Sequence, residues 1–148
     1  MNKIVIQRNS KIKSLPSKQQ FVTWANEVLS KRKKNYELVI RIVDNKESRY
    51  LNKKFRCNDK PTNIISFPFE HPPGIKTDFL GDLVMCAPLI RKEAKEQNKT
   101  FTSHWAHLTI HGVLHLLGYN HLTTKDAKKM EDLEIKHLEK LGLSDPYK

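Results

Sequence analysis

Thr102-Ser103-His104-Trp105-Ala106-His107-Leu108-Thr109-Ile110-His111-Gly112-Val113-Leu114-His115-Leu116-Leu117-Gly118 is the stretch around which the rest of the chain can be read. Thr102 or Ser103 is placed to cap a helix, the helix runs to about Leu117, and Gly118 stands just past its end, where a left-handed residue is favoured. It is the only clearly apolar helix expected in the chain. Downstream, Thr124 to about Leu141 predicts a last helix, with Met130, Leu133, His137, Leu138 and Leu141 near one face and Gly142 closing it. Upstream, Ile4-Val5-Ile6 reads as a first strand. Ser17-Lys18-Gln19-Gln20 has the form of a capping box opening a helix with Phe21, Trp24, Ala25 and Val28 on one side. Tyr36 to Asp44 is a β-branched strand, about Lys46 to Phe55 a short helix, Asn63 to Pro68 a third strand stopped by proline, and Leu80 to Cys86 a fourth. Pro88 suits the first turn of a further helix. The order βαβαββααα indicates one α/β (mixed α+β) domain over residues 1–148, with a small mixed four-stranded sheet and about five helices packed on it.

Four of the seven histidines, His104, His107, His111 and His115, fall at spacings of three, four and four, so on a helix they share one stripe. They cannot all hold one ion, because His104 would lie about 10 Å along the axis from His111, whereas zinc needs each imidazole nitrogen at ~2.0 to 2.1 Å. Gly118 ends the helix and reverses the chain, so His121 can return beside the last turns, where His111 and His115 sit. Three neutral imidazoles leave a fourth tetrahedral position for water, the signature of a catalytic rather than a closed structural site. The expected cofactor is one zinc ion per chain, although imidazoles suit nickel, copper and iron as well. His104 and His107 are then left over as neighbours of the site, substrate contacts or partly buried histidines. The spacing equals that of the extended zinc protease motif, in which a glutamate follows the first histidine as general base; here that position is Gly112. A protease is disfavoured on that ground.

Composition limits the partners. The 148 residues carry 27 Lys and Arg against 16 Asp and Glu, a formal charge of +11, which favours a polyanion and above all nucleic acid. No run approaches the ~18 apolar residues of a membrane span. Cys57 and Cys86 are far apart and no leader precedes them, so both are expected as reduced thiols in a soluble, cytoplasmic protein.

The segment His111 to His121 resembles the histidine motif of the YbeY endoribonucleases, bacterial rRNA maturation factors. Leu51-Asn52-Lys53-Lys54-Phe55-Arg56, Asp59-Lys60-Pro61-Thr62-Asn63-Ile64-Ile65-Ser66-Phe67-Pro68 and Leu80-Gly81-Asp82-Leu83-Val84 look like the other signature blocks of that family, in the right order. The resemblance implies a metal-dependent, single-strand-specific endoribonuclease acting in maturation of the small-subunit rRNA 3′ end and in ribosome quality control. Its implied partners are ribosomal RNA and the small subunit with its associated proteins, and no membrane. It carries His111, His115 and His121 over as metal ligands, with His115 counted also among the catalytic residues. Arg56 becomes the functionally important arginine, able to hold a phosphate by a fork of hydrogen bonds. Asp82 becomes a contact to ribosomal partners, and His107 is grouped with it as a substrate or partner contact. One departure stands out: Asn120 precedes the third ligand where the family typically has aspartate, and an amide can orient a ligand or water but cannot accept a proton. Two other functions compete with the nuclease. One is a non-catalytic zinc-containing ribosome assembly factor that binds RNA through its basic surface; the other, a metal hydrolase of small molecules or peptides, is disfavoured by Gly112 and by the charge.

Overall fold

The computed structural model describes residues 1–148 and has the expected order: β1 (Lys3–Asn9), α1 (Lys18–Leu29), β2 (Glu37–Val43), α2 (Asn45–Arg56), β3 (Ile64–Pro68), β4 (Phe79–Cys86), α3 (Ala87–Glu96), α4 (Phe101–Leu116) and α5 (Thr124–Lys140). The strands form one mixed sheet in the order β1-β2-β4-β3. β1, β2 and β4 run parallel, joined through α1 and through the α2–β3 segment, while β3 pairs antiparallel with β4 at the edge. Alternation fixes the faces. Leu38, Ile40 and Ile42 of β2 and Leu83 and Met85 of β4 are fully buried in the main core with residues of α1, α4 and α5. Val43, Ile65, Val84 and Cys86 form a smaller cluster with Leu51 of α2 and with Leu89 of α3.

Local chemistry explains the helix ends. The Ser17 hydroxyl accepts the Gln20 amide and the Gln20 side chain accepts the Ser17 amide, so the capping box is made in full. Pro88 lies in the first turn of α3. The start of α4 differs from the expectation: its N-cap is Thr100, whose hydroxyl accepts the Ser103 amide, and Thr102 and Ser103 are already inside the helix. Asn98, in the left-handed region at φ 53°, ends α3 so early that Thr100 is free to cap. Phe101 is thereby brought to the edge of the Trp105 ring, 5.9 Å between centroids.

α4 buries ten of its sixteen residues. It lies flush on the sheet at Gly112, where an added Cβ would stand 2.8 Å from the Ile64 Cδ1 and 2.8 Å from the Leu83 Cδ2. The position where a zinc protease carries its glutamate therefore faces β3 and β4, against the ends of two side chains that would have to give way to any side chain placed there. Gly112→Ala is expected to destabilise the protein by about 1 kcal/mol: overpacking of ~1–3 kcal/mol outweighs the roughly 1 kcal/mol of helix propensity gained. Urea unfolding checks this, and an unchanged midpoint would show slack between α4 and the sheet.

Candidate metal centre

The last turns of α4 carry His111 and His115 one turn apart, and the chain then turns sharply. Leu117 caps the helix, Gly118 takes φ 103°, the Gly118 amide donates to the His115 carbonyl at 3.0 Å and the Tyr119 amide to the Leu114 carbonyl at 3.1 Å. This pair of bonds is a Schellman motif, which satisfies the final carbonyls and folds the chain back. Asn120 continues the reversal, its side-chain oxygen accepting the Leu122 amide at 3.1 Å, and Thr123 caps α5 by accepting the Asp126 amide. His121, between these two turns, is thereby returned to the helix end.

The three imidazoles converge. Ring centroids are 4.9 Å apart for His111–His115, 4.9 Å for His115–His121 and 5.7 Å for His111–His121. One nitrogen from each lies within 4.8 Å of the others, and no cysteine or carboxylate joins the set. Zinc takes imidazole nitrogens at ~2.0 to 2.1 Å, so one ion could be shared by the three with an inward adjustment of the rings. His111 and His115 are half-buried and His121 is exposed, so one side of the set is open to solvent. Partial burial and the charges of His111, His121 and Arg56 push His115 down to about 4 against a weaker pull from Glu134, which keeps it neutral and able to donate a lone pair at pH 7.

Arg56 is the last residue of α2, followed by Cys57 in the left-handed region at φ 56°. Its neighbours Arg49 and Lys53 both pair with Asp59, at 2.8 and 3.9 Å, whereas Arg56 is exposed and has no carboxylate partner. Its charge is felt at His115. Asp82 lies in the middle of β4, between Val39 of β2 and Phe67 of β3, and burial raises its carboxyl. Gly81 and Leu83 on either side face α4, so Asp82 points to the other face of the sheet, away from the three imidazoles.

His107, expected to touch substrate or partner, is engaged with the protein itself: its Nε2 lies 2.6 Å from the Glu134 Oε1 and 3.3 Å from the Tyr147 hydroxyl, and its Nδ1 is buried. His104 is buried as well, with Nε2 3.0 Å from the Glu93 Oε1, and Glu93 also accepts the Asn63 side-chain amide. Glu134 escaped the sequence reading. It sits on α5 between Met130 and Leu138, four residues from each, so a carboxylate on the apolar stripe was the available signal. Despite burial, which alone would raise it, its carboxyl is held down at about 2 by His107 and His111.

Comparison with known proteins gives the chain a family. The family described as "Endoribonuclease YbeY" matches residues 4–142. The chain belongs to the YbeY family. It is 52% identical over 137 residues to the "Endoribonuclease YbeY" of Colwellia psychrerythraea, covering 90% of this chain and 88% of that one. The solution structure of TM1509 from Thermotoga maritima superposes with a TM-score of 0.65 at 27% identity, over 91% of this chain and 87% of that chain. The YbeY-family blocks noted in the sequence thus map onto the end of α2, the β3 and β4 strands and the end of α4.

The Glu93–His104 pair yields a pH dependence. Hydrogen bonding from His104 chiefly, opposed by burial and aided by Asn63, holds Glu93 below its ordinary value of 4.5. A carboxyl lowered on folding contributes stability that is complete above about 4.5 and is lost as the pH falls through the lowered value. Glu93→Gln should therefore flatten the acid side of the stability curve, read from urea midpoints between about pH 6 and pH 3. Parallel curves for the variant and the wild type would show that the pair contributes nothing.

Proposed function

We propose that this chain is a metal-dependent, single-strand-specific endoribonuclease of ribosomal RNA maturation, acting at the small-subunit rRNA 3′ end and in ribosome quality control in the cytoplasm. The observation that carries the reading is the convergence of one nitrogen from each of three imidazoles near an arginine that has no carboxylate partner of its own. Membership of a family described as endoribonucleases supports the reaction class. The charge of +11 supports an RNA substrate, and no helix is long and apolar enough to cross a membrane.

His111, His115 and His121 would hold one zinc ion, which when bound supplies a Lewis acid for the scissile phosphate and lowers the pKa of water. The remaining work falls to the chain's own groups. Arg56, unpaired and exposed, has its planar guanidinium free to take two phosphate oxygens and to stabilise charge developing on them. Asn120 supports His121 through its bond to the Leu122 amide, a role an aspartate would fill equally. Asp82, on the opposite face of the sheet, would then meet a protein of the small subunit rather than the scissile bond. Glu134 is buried and already paired with His107, so it is not free to take a proton from substrate. Whether attack comes from water or from the neighbouring 2′-hydroxyl is read from the products, because only the second leaves a cyclic phosphate.

Cleavage of a single-stranded and a structured ribosomal RNA, with metal content measured on each protein, tests the assignment. Wild type should bind one zinc per chain and cut. His115→Ala should lose both metal and activity. Arg56→Ala should keep its metal and its stability within about 0.5 kcal/mol, as an exposed unpaired residue does, but lose about 100-fold or more in rate. Zinc-loaded wild type that binds RNA and does not cut would make the chain a non-catalytic assembly factor instead. Asn120→Asp should leave zinc affinity and cleavage within about threefold of wild type, since either side chain accepts the Leu122 amide. A gain of the ~100-fold that a general base supplies would instead make position 120 a proton acceptor.

A further inference from the structure

Glu134 is 1% exposed, and an ionised carboxylate in such a place costs several kcal/mol unless it is paired and hydrogen-bonded. No lysine or arginine is paired with it. Its Oε1 receives the His107 Nε2 at 2.6 Å and the Tyr147 hydroxyl, which donates at 3.0 Å. Its Oε2 has a single close polar neighbour, the His111 Nδ1 at 3.3 Å, near enough for an ion pair but not aligned as a hydrogen bond. Tyr147 is set by its own amide, which donates to the Asp145 side chain at 2.8 Å, and its ring meets the His107 ring edge-on at 5.4 Å. One oxygen is therefore anchored twice, and the other lies 3.3 Å from a histidine of the converging set.

We propose that Glu134 is a positioning residue for the metal centre: its Oε2 keeps the proton of His111 on Nδ1, which leaves Nε2 as the lone pair that binds the ion, while His107 and Tyr147 hold the carboxylate in place. The inference rests on the reading of the three histidines as metal ligands. A neutral imidazole has one proton, and the nitrogen facing an acceptor-only carboxylate keeps it. A contact of this kind orients a ligand ring and raises its basicity. No carboxylate lies within ion-pair distance of His115 or His121, so among the three rings only His111 has one directly behind it. Three neutral imidazoles also bring no negative charge to a divalent ion, and Glu134 supplies one at the distance of a single ring. The C-terminal segment enters the design through Tyr147.

Two measurements on wild type, Glu134→Gln and Tyr147→Phe test this. Long-range proton–nitrogen correlation spectra of the metal-free proteins, at a pH where histidines are neutral, read the tautomer of His111. Competition with a chromophoric chelator reads zinc affinity, and thermal unfolding confirms that each variant is folded. Wild-type His111 should be protonated on Nδ1. Glu134→Gln, of the same shape but presenting no carboxylate, should give a mixed or reversed tautomer and a zinc affinity lower by about 10- to 100-fold. Tyr147→Phe should retain the tautomer and lose affinity by a smaller factor. Wild-type His111 protonated on Nε2 would overturn the proposal whether or not Glu134→Gln folds, and so would folded Glu134→Gln with unchanged zinc affinity. Wild type that binds no zinc would instead remove the metal reading on which the proposal rests, an outcome separate from zinc binding that is indifferent to Glu134.

Discussion

A helix that lies in the middle of the protein and still carries four histidines along one side must find a polar partner for each of them or leave it where solvent or an ion can reach it. α4 meets this constraint in a graded way. Near its start His104 is buried and paired with Glu93; one turn on, His107 is paired with Glu134 and Tyr147; His111 shares Glu134 less closely; His115 has no side-chain partner at all. The partners thin out toward the C-terminal end, and there the imidazoles face one another and His121 instead. The position of the candidate centre is the end of this series, and the sheet determines its direction, because Gly112 presses the opposite side of α4 against Ile64 and Leu83.

Much of this arrangement was legible in the residues. The element order follows from strand and helix periods with few competitors, and the Ser17–Gln20 box, Pro88 and Gly118 act at the ends they mark. The convergence of His111, His115 and His121 was legible because every step toward it is local: one helical turn, one glycine reversal, one short return. The start of α4 was not, because Thr100, Thr102 and Ser103 are all good caps and the choice between them depends on where α3 stops. Strand order was equally hidden, since nothing in β3 or β4 alone states that β4 inserts between β2 and β3.

Residues whose meaning depends on a distant partner were the least readable. His107 and His111 are equivalent on a helical wheel, and only the approach of α5 turns one inward and leaves the other half-open. Glu134 is one of several acids on a charged helix, and only the packing of α5 against α4 puts it in the core. Arg56 and Arg49 stand on the same helix, yet Asp59 engages Arg49 and leaves Arg56 free, a distinction made by the loop after α2 rather than by α2 itself.

The reversal at Gly118 has a kinetic side. All three histidines lie between positions 111 and 121, so bringing them together closes only a very short loop, and the entropy of closure grows with loop length. By contrast, the parallel pairings of β1 with β2 and of β2 with β4 join residues more than thirty positions apart, such as Val5 with Val39 and Ile40 with Leu83, and such non-local pairings form slowly. The three histidines are thus among the parts of the native structure with the lowest contact order. Their convergence is a local event, while the sheet beneath depends on contacts between distant parts of the chain.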